Sequence, residues 1–240
     1  MSESNKRNFI VHGSILAIAG ILVRIIGMLY RIPVVNIIGS EGNGIYGAAF
    51  NIYNIMLVLS SYGLPMAVSK LVSARFTKRR YKSAAKVLRC SLMVAVCTGG
   101  IAALLVFFGA SFIENVIYGG GLPGLAIPLR ILAPTIFLVA ILGVIRGFFQ
   151  GQSTMIPTAV SQILEQIVNA IVSIAAGYGM MKAFASSPDV AAYGAAGSTL
   201  GTAMGALTAV LFMGFLYAVY TPTFNRLKRK DRHTENQSTG

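Results

Sequence analysis

Charge is the scarcest feature of this 240-residue chain: Asp, Glu, Lys and Arg make up 11% of it, where a soluble globular domain carries about a quarter. Cysteines and histidines number two each. Cys90 and Cys97 share one apolar run and have no metal-ligating neighbours, so neither a metal site nor a disulfide framework is indicated. The chain also lacks a Walker-type glycine–lysine loop, an HExxH pair and a G-x-S-x-G elbow. No catalytic residue, metal or cofactor is therefore expected, and the chain reads as a non-enzyme.

Apolar residues dominate, at 55% of the chain. Six apolar segments lie at 10–32, 45–66, 88–112, 125–148, 155–181 and 192–220. Each is close to or above the roughly 20 residues that a membrane-spanning helix needs. The expected fold class is all-α integral membrane, a six-transmembrane-helix bundle over residues 1–220. Lys6 and Arg7 before the first segment superficially resemble a signal peptide, but the run continues without a small-residue cleavage site, which indicates an uncleaved span.

The net charge of +13 reads as topology and not as a nucleic-acid surface, because the basic residues bracket long apolar runs. Sixteen of the 20 Lys and Arg residues fall before the first span, between the second and third, at Arg146, or after the sixth. Basic loops stay inside, so both termini are expected to be cytoplasmic in a multi-pass plasma-membrane protein. The connection 69–89 carries eight of these residues and suggests a basic amphipathic helix on anionic headgroups. Residues 221–240 turn polar and read as a disordered cytoplasmic tail.

Polar residues inside the spans carry the functional signal. Gly20, Arg24, Gly27 and Arg31 recur at steps of four, three and four, which puts them on one helix face. An arginine at bilayer depth costs at least about 3 kcal/mol, so it should face protein or a watery cavity. On this reading Arg24 lies near mid-bilayer and Arg31 toward the outer face. Arg130, between Pro128 and Pro134, is a third arginine at membrane depth. In the fifth span Thr158, Gln162, Glu165, Gln166, Asn169 and Ser173 form one polar stripe. Glu165 within it is either a functional carboxyl or half of a structural pair with an arginine. Asn51 and Asn54 in the second span either line a cavity or hydrogen-bond across helices. Gly197, Gly201 and Gly205 mark a close helix contact.

Five stretches together resemble a known family: Arg24-Ile25-Ile26-Gly27 with Tyr30-Arg31-Ile32; Gly44-Ile45-Tyr46-Gly47; Gly63-Leu64-Pro65-Met66-Ala67-Val68-Ser69-Lys70; Arg146-Gly147-Phe148-Phe149-Gln150-Gly151; and Pro157-Thr158-Ala159-Val160-Ser161-Gln162 with Glu165-Gln166. They resemble the MOP flippase superfamily, in the branch of stage V sporulation protein B and the polysaccharide-biosynthesis membrane proteins. The resemblance implies a carrier of lipid-linked oligosaccharide or peptidoglycan precursors that works by alternating access between two lobes, with no cofactor. This chain matches the first lobe of such a MATE-like transporter, so a second lobe would come from a partner chain or another copy. The related lipid II flippases place an acidic residue after the second arginine of the first helix, where this chain has Ile32.

The leading expectation is therefore one lobe of a flippase for a lipid-linked, pyrophosphate-bearing oligosaccharide. Arg24, Arg31 and Arg130 would hold phosphates, because guanidinium binds phosphate oxygens bidentately and stays charged. Asn51, Asn54, Gln162, Gln166 and Asn169 would bind sugar hydroxyls. Glu165 would pair with an arginine or carry a coupling proton or sodium ion. Membrane lipids are the expected surroundings and nucleic acid is not a partner. A cation-coupled multidrug exporter and a non-transporting scaffold or inactive fragment are the alternatives; three membrane arginines against one carboxylate favour an anionic cargo.

Overall fold

The computed structural model describes residues 3–61 and 63–231, with side chains from Ser14 onward except that of Lys230. The described elements are helical: α1 (Glu3–Ser60), α2 (Leu64–Thr77), α3 (Tyr81–Phe112), α4 (Ala126–Gly151), α5 (Ile156–Ala183) and α6 (Val190–Lys230), with a π-helical turn at Ile113–Ile117. Five helical stretches are long and apolar enough to cross a membrane: Ser14–Thr77, Tyr81–Ile117, Ala126–Gly151, Ile156–Ala183 and Val190–Arg229. With the family assignment reached below, they make this a multi-pass membrane protein. Large apolar side chains such as Met28, Leu59, Phe108, Ile171 and Phe215 stand exposed on its outer surface, as lipid contact requires.

α1 is too long to be one straight element, since 58 residues at 1.5 Å each would extend about 87 Å against a hydrocarbon core of about 30 Å. It breaks at Gly39, with φ 70° and ψ −175°, a backbone region that only glycine enters without strain. Tyr46 lies within electrostatic and hydrogen-bonding reach of Tyr30; a continuous helix would hold them about 24 Å apart. The chain therefore folds back at Gly39 into a first arm, 3–38, and a second arm, 40–60. This corrects two boundaries. The first helical run extends beyond residue 32, and the second begins at residue 40 instead of 45, because Ser40, Glu41 and Asn43 serve as the opening turn of the second arm.

The second arm ends at Ser60 and the Gly63-Leu64-Pro65 breaker opens α2. α2 buries Val68 and Val72 along α4, whose Gly143, Gly147 and Gly151 leave it room. A Cβ on Gly147 would stand 2.5 Å from the Pro65 carbonyl oxygen. The basic connection 69–89 is not one helix: it breaks at residues 78–80, where Arg79 has φ 53°, and α3 starts at Tyr81 instead of residue 88. Across that break Arg75 Nε donates to Ser83 Oγ at 3.1 Å. At the far end of α3, the Glu114 carboxylate accepts from the backbone N–H of Gly124 at 3.0 Å and of Ala126 at 2.7 Å. It thereby caps α4 with a charge of the favourable sign.

α6 continues through residues 221–230, which corrects the expectation of a disordered tail from residue 221. Phe224 is 1% exposed and its ring meets those of Phe76, Phe148 and Tyr220, so aromatic packing holds a segment whose composition is polar. Asp231 then accepts from the Lys82 N–H at 2.9 Å and ties this end to α3. Residues 232–240 of the expected tail lie outside the described residues. As expected, Gly197, Gly201 and Gly205 are contact residues: α6 approaches the α5 backbone at Ala176, Asn169 and Glu165 respectively.

Candidate functional site

The polar stripe of α5 is largely spent on neighbouring helices. Asn169 Nδ2 donates to the Tyr30 hydroxyl on α1 at 3.3 Å. The Ser173 hydroxyl lies 2.9 Å from Asn169 Oδ1 and 2.8 Å from the Ser198 carbonyl on α6, and its single proton serves one at a time. Gln166 packs against α1, since a Cβ on Gly27 would lie 3.3 Å from its Nε2. The pairs Gly27–Gln166 and Tyr30–Asn169 advance together by three residues. The first arm and α5 therefore run parallel, and this register sets Arg24 level with Ile163.

At that level lies the one ion pair among the described residues. Arg146 Nη2 on α4 donates to Glu165 Oε2 at 2.8 Å, with the two side chains 14% and 26% exposed. Arg146 Nε also donates to Ser161 Oγ at 2.9 Å, and that hydroxyl donates onward to the Thr158 carbonyl at 2.8 Å. Tyr53, buried on the second arm, lies within electrostatic reach of Glu165. Glu165 thus has an arginine partner, but it is Arg146 rather than Arg24, Arg31 or Arg130. Sequence reasoning had counted Arg146 as a charge at the membrane edge.

Beside this pair a cleft of about 260 Å³ opens between α1, α2, α4 and α5. Leu57, Pro65, Val139 and Gly143 give it apolar walls; Ser61, Arg146, Gln150, Thr158 and Gln162 give it hydrogen-bonding groups. Gln150 Nε2 reaches toward Thr158 Oγ1 at 3.5 Å. Arg146 and Gln150 are four apart on α4, and Thr158, Ser161 and Glu165 recur at three and four on α5. That matched spacing is the sequence signal that could have found the cleft.

The other expected residues scatter. Arg24 and Arg31 are exposed on the first arm, at the rim of its contact with α5, and neither has a carboxylate partner among the described residues. Arg130 is exposed and Nη2 donates to Ser111 on α3 at 2.8 Å. Sixteen residues separate it from Arg146, which turns it to the opposite face of α4, about 24 Å along the axis. Asn51 and Asn54 are exposed on the second arm. Among the described residues no three His, Cys, Asp or Glu side chains gather as a metal site would need.

Comparison with known proteins places this architecture. The lipid II flippase MurJ of Bacillus subtilis (strain 168) is 34% identical over 176 residues, 71% of this chain and 32% of that protein. Stage V sporulation protein B of the same organism is 30% identical over 210 residues, 87% of this chain and 39% of that protein. The uncharacterized membrane protein YabM, also from B. subtilis, is 29% identical over 235 residues, 98% of this chain and 41% of that protein. The chain thus spans between about a third and two-fifths of the length of these relatives, and no solved structure matches it. Residues 10–238 match the family described as polysaccharide biosynthesis protein, and the chain belongs to that family.

Proposed function

We propose that this chain is one lobe of a flippase that moves a lipid-linked, pyrophosphate-bearing oligosaccharide or peptidoglycan precursor across the plasma membrane by alternating access. The observation that carries the reading is the pair Arg24 and Arg31, exposed on an apolar helix without a carboxylate partner among the described residues. Such guanidinium groups persist at bilayer depth where water or an anion compensates them. A phosphorylated headgroup supplies that anion and its lipid tail stays in the bilayer. Arg24, Arg31 and Arg130 hold phosphates; Gln162 and, on the outer surface, Asn51 and Asn54 meet sugar hydroxyls. Gln166 and Asn169 support the same wall through their contacts with α1. Glu165 pairs with Arg146 in the empty state and takes a coupling proton or sodium ion when that pair opens. The name of the lipid II flippase relative supports the cargo class.

The reading places six crossings in the lobe, with both termini cytoplasmic. Its support is the parity of the helices. If α1 crossed once, α5 would be the fourth crossing and would run antiparallel to the first arm, whereas the Gly27–Gln166 and Tyr30–Asn169 contacts make the two parallel. Counting both arms makes α5 the fifth. A second lobe, from a partner chain or a second copy, completes the cavity. The test is complementation in cells depleted of the native gene, scored by the amount of headgroup exposed at the outer face. Arg24→Ala and Arg31→Ala are expected to lower it at least tenfold at equal protein level; unchanged exposure would refute the assignment.

A further inference from the structure

The Arg146–Glu165 pair has the build of a displaceable anion site. Its two halves are fixed unequally. Arg146 has one anchor besides Glu165: Nε donates to the Ser161 hydroxyl, itself committed to the Thr158 carbonyl. Glu165 has one hydrogen bond among the described residues, from Arg146 Nη2 through Oε2, and is the more exposed partner. If the carboxylate swings away, the guanidinium stays where it is. Nη1 makes no hydrogen bond among the described residues, and the group lines the cleft beside Gln150 and Gln162.

The electrostatics point the same way. A largely buried guanidinium needs a counter-charge, because an unpaired ion in a low-dielectric site costs several kcal/mol. With Glu165 in place the cleft is neutral and has little pull on an anion. An incoming phosphate is tetrahedral, but two of its oxygens can accept from the planar guanidinium edge bidentately. The leaving carboxylate then moves toward the solvent to which it is already the more open side chain.

We propose that Arg146 is an anion-binding residue of the cleft, kept neutral by Glu165 in the empty state and transferred to a phosphate group when ligand enters. This rests on the proposed cargo class and adds a phosphate subsite beside the α4–α5 turn. Ser161 is a positioning residue, acting only through Arg146.

The test is titration of inorganic pyrophosphate, with inorganic phosphate as the comparison, into the full chain held in zwitterionic lipid nanodiscs. Glu165→Gln removes the competitor charge and should tighten binding about tenfold, the scale of one hydrogen bond to a charged group. Arg146→Gln should lose this binding, and the double variant should match Arg146→Gln. Ser161→Ala should weaken binding in the Glu165→Gln background. A pair that merely bolts α4 to α5 gives the contrary pattern, with Glu165→Gln less stable and no tighter for the anion. That pattern overturns the proposal. So does binding that survives Arg146→Gln; if that binding is abolished by Arg24→Ala, the cargo class stands without this subsite.

Discussion

Replacing Gly201 with alanine should separate α5 from α6, and the structure sets the size of the effect. A Cβ at Gly201 would stand 2.5 Å from the Asn169 carbonyl oxygen and 2.6 Å from the Ser173 nitrogen. Both are backbone atoms, so no side-chain rotation relieves the clash. Ordinary van der Waals contact begins near 3.5 Å, which requires the helices to part by about 1 Å. That displacement stretches the 2.8 Å contact between the Ser173 hydroxyl and the Ser198 carbonyl beyond hydrogen-bonding range. Overpacking costs about 1–3 kcal/mol, and a lost interhelical hydrogen bond in a membrane adds about 0.6 kcal/mol. Alanine returns up to about 1 kcal/mol through helix propensity, leaving a net loss of about 0.6–2.6 kcal/mol when that gain is realised in full. Gly109→Ala on α3 is the control, since nothing lies within 4 Å of its Cβ position; it should be neutral or stabilising by up to about 1 kcal/mol. The chain has no tryptophan, so unfolding by SDS in mixed micelles can be followed by tyrosine emission and helical circular dichroism. Equal or greater stability of Gly201→Ala relative to Gly109→Ala would refute the close α5–α6 approach.

Gly39→Ala should cost about 1–3 kcal/mol in the same assay, because its φ of 70° is forbidding to a side chain even though open space surrounds it; stability equal to the native chain would show that the reversal does not depend on glycine. Glu114→Gln removes the charge that receives the Gly124 and Ala126 amides and should lower stability by about 0.5–2 kcal/mol, with faster hydrogen exchange confined to the start of α4. Phe224→Ala should release residues 221–230 from the aromatic cluster at a cost of about 3 kcal/mol, seen as loss of amide protection from residue 221 onward; protection equal to the native chain would show that the ring cluster does not hold that segment.

The helical class and most boundaries were legible because long apolar runs admit few alternatives in a bilayer. The missed boundaries share one cause: composition was polar where tertiary contact was strong. Residues 33–44 fall between two apolar segments, yet one residue of unusual backbone conformation, Gly39, suffices to reverse the chain. Residues 221–230 read as a tail, yet Phe224 supplies an anchor that composition averages away. The periodicity of α5 picked out the face that meets neighbouring helices but not the recipients of its hydrogen bonds. Asn169 and Ser173 share a stripe with Thr158 and Gln162, and only tertiary contact separates those that bind helices from those that line the cleft. Arg146 was discounted because a single arginine at the end of an apolar run has an adequate explanation in topology; its partnership with Ser161 and Glu165 requires two helices.

The length of the first arm also changes where its arginines fall along the helix relative to its end. The first arm runs on to residue 38, so Arg31 lies about 12 Å and Arg24 about 22 Å before the reversal at Gly39. A first span ending at residue 32 would put Arg31 at its outer end; the longer helix draws both arginines toward the end of the bundle where α4 meets α5. The parallel register with α5 does the same independently, setting Arg24 level with Ile163 and beside the Arg146–Glu165 pair. Arg130 stays near the opposite end of α4, about 24 Å away, bonded to Ser111. The positive groups are thus strung along the bundle and not collected in one half of it, with the Arg146–Glu165 pair at one end. A phosphate on the proposed route would meet a guanidinium first neutralised by Glu165, then three, Arg24, Arg31 and Arg130, without a carboxylate partner among the described residues. On this arrangement Glu165→Gln and Arg31→Ala should act on different steps: the first should alter headgroup capture, and the second should alter delivery to the far side with capture intact.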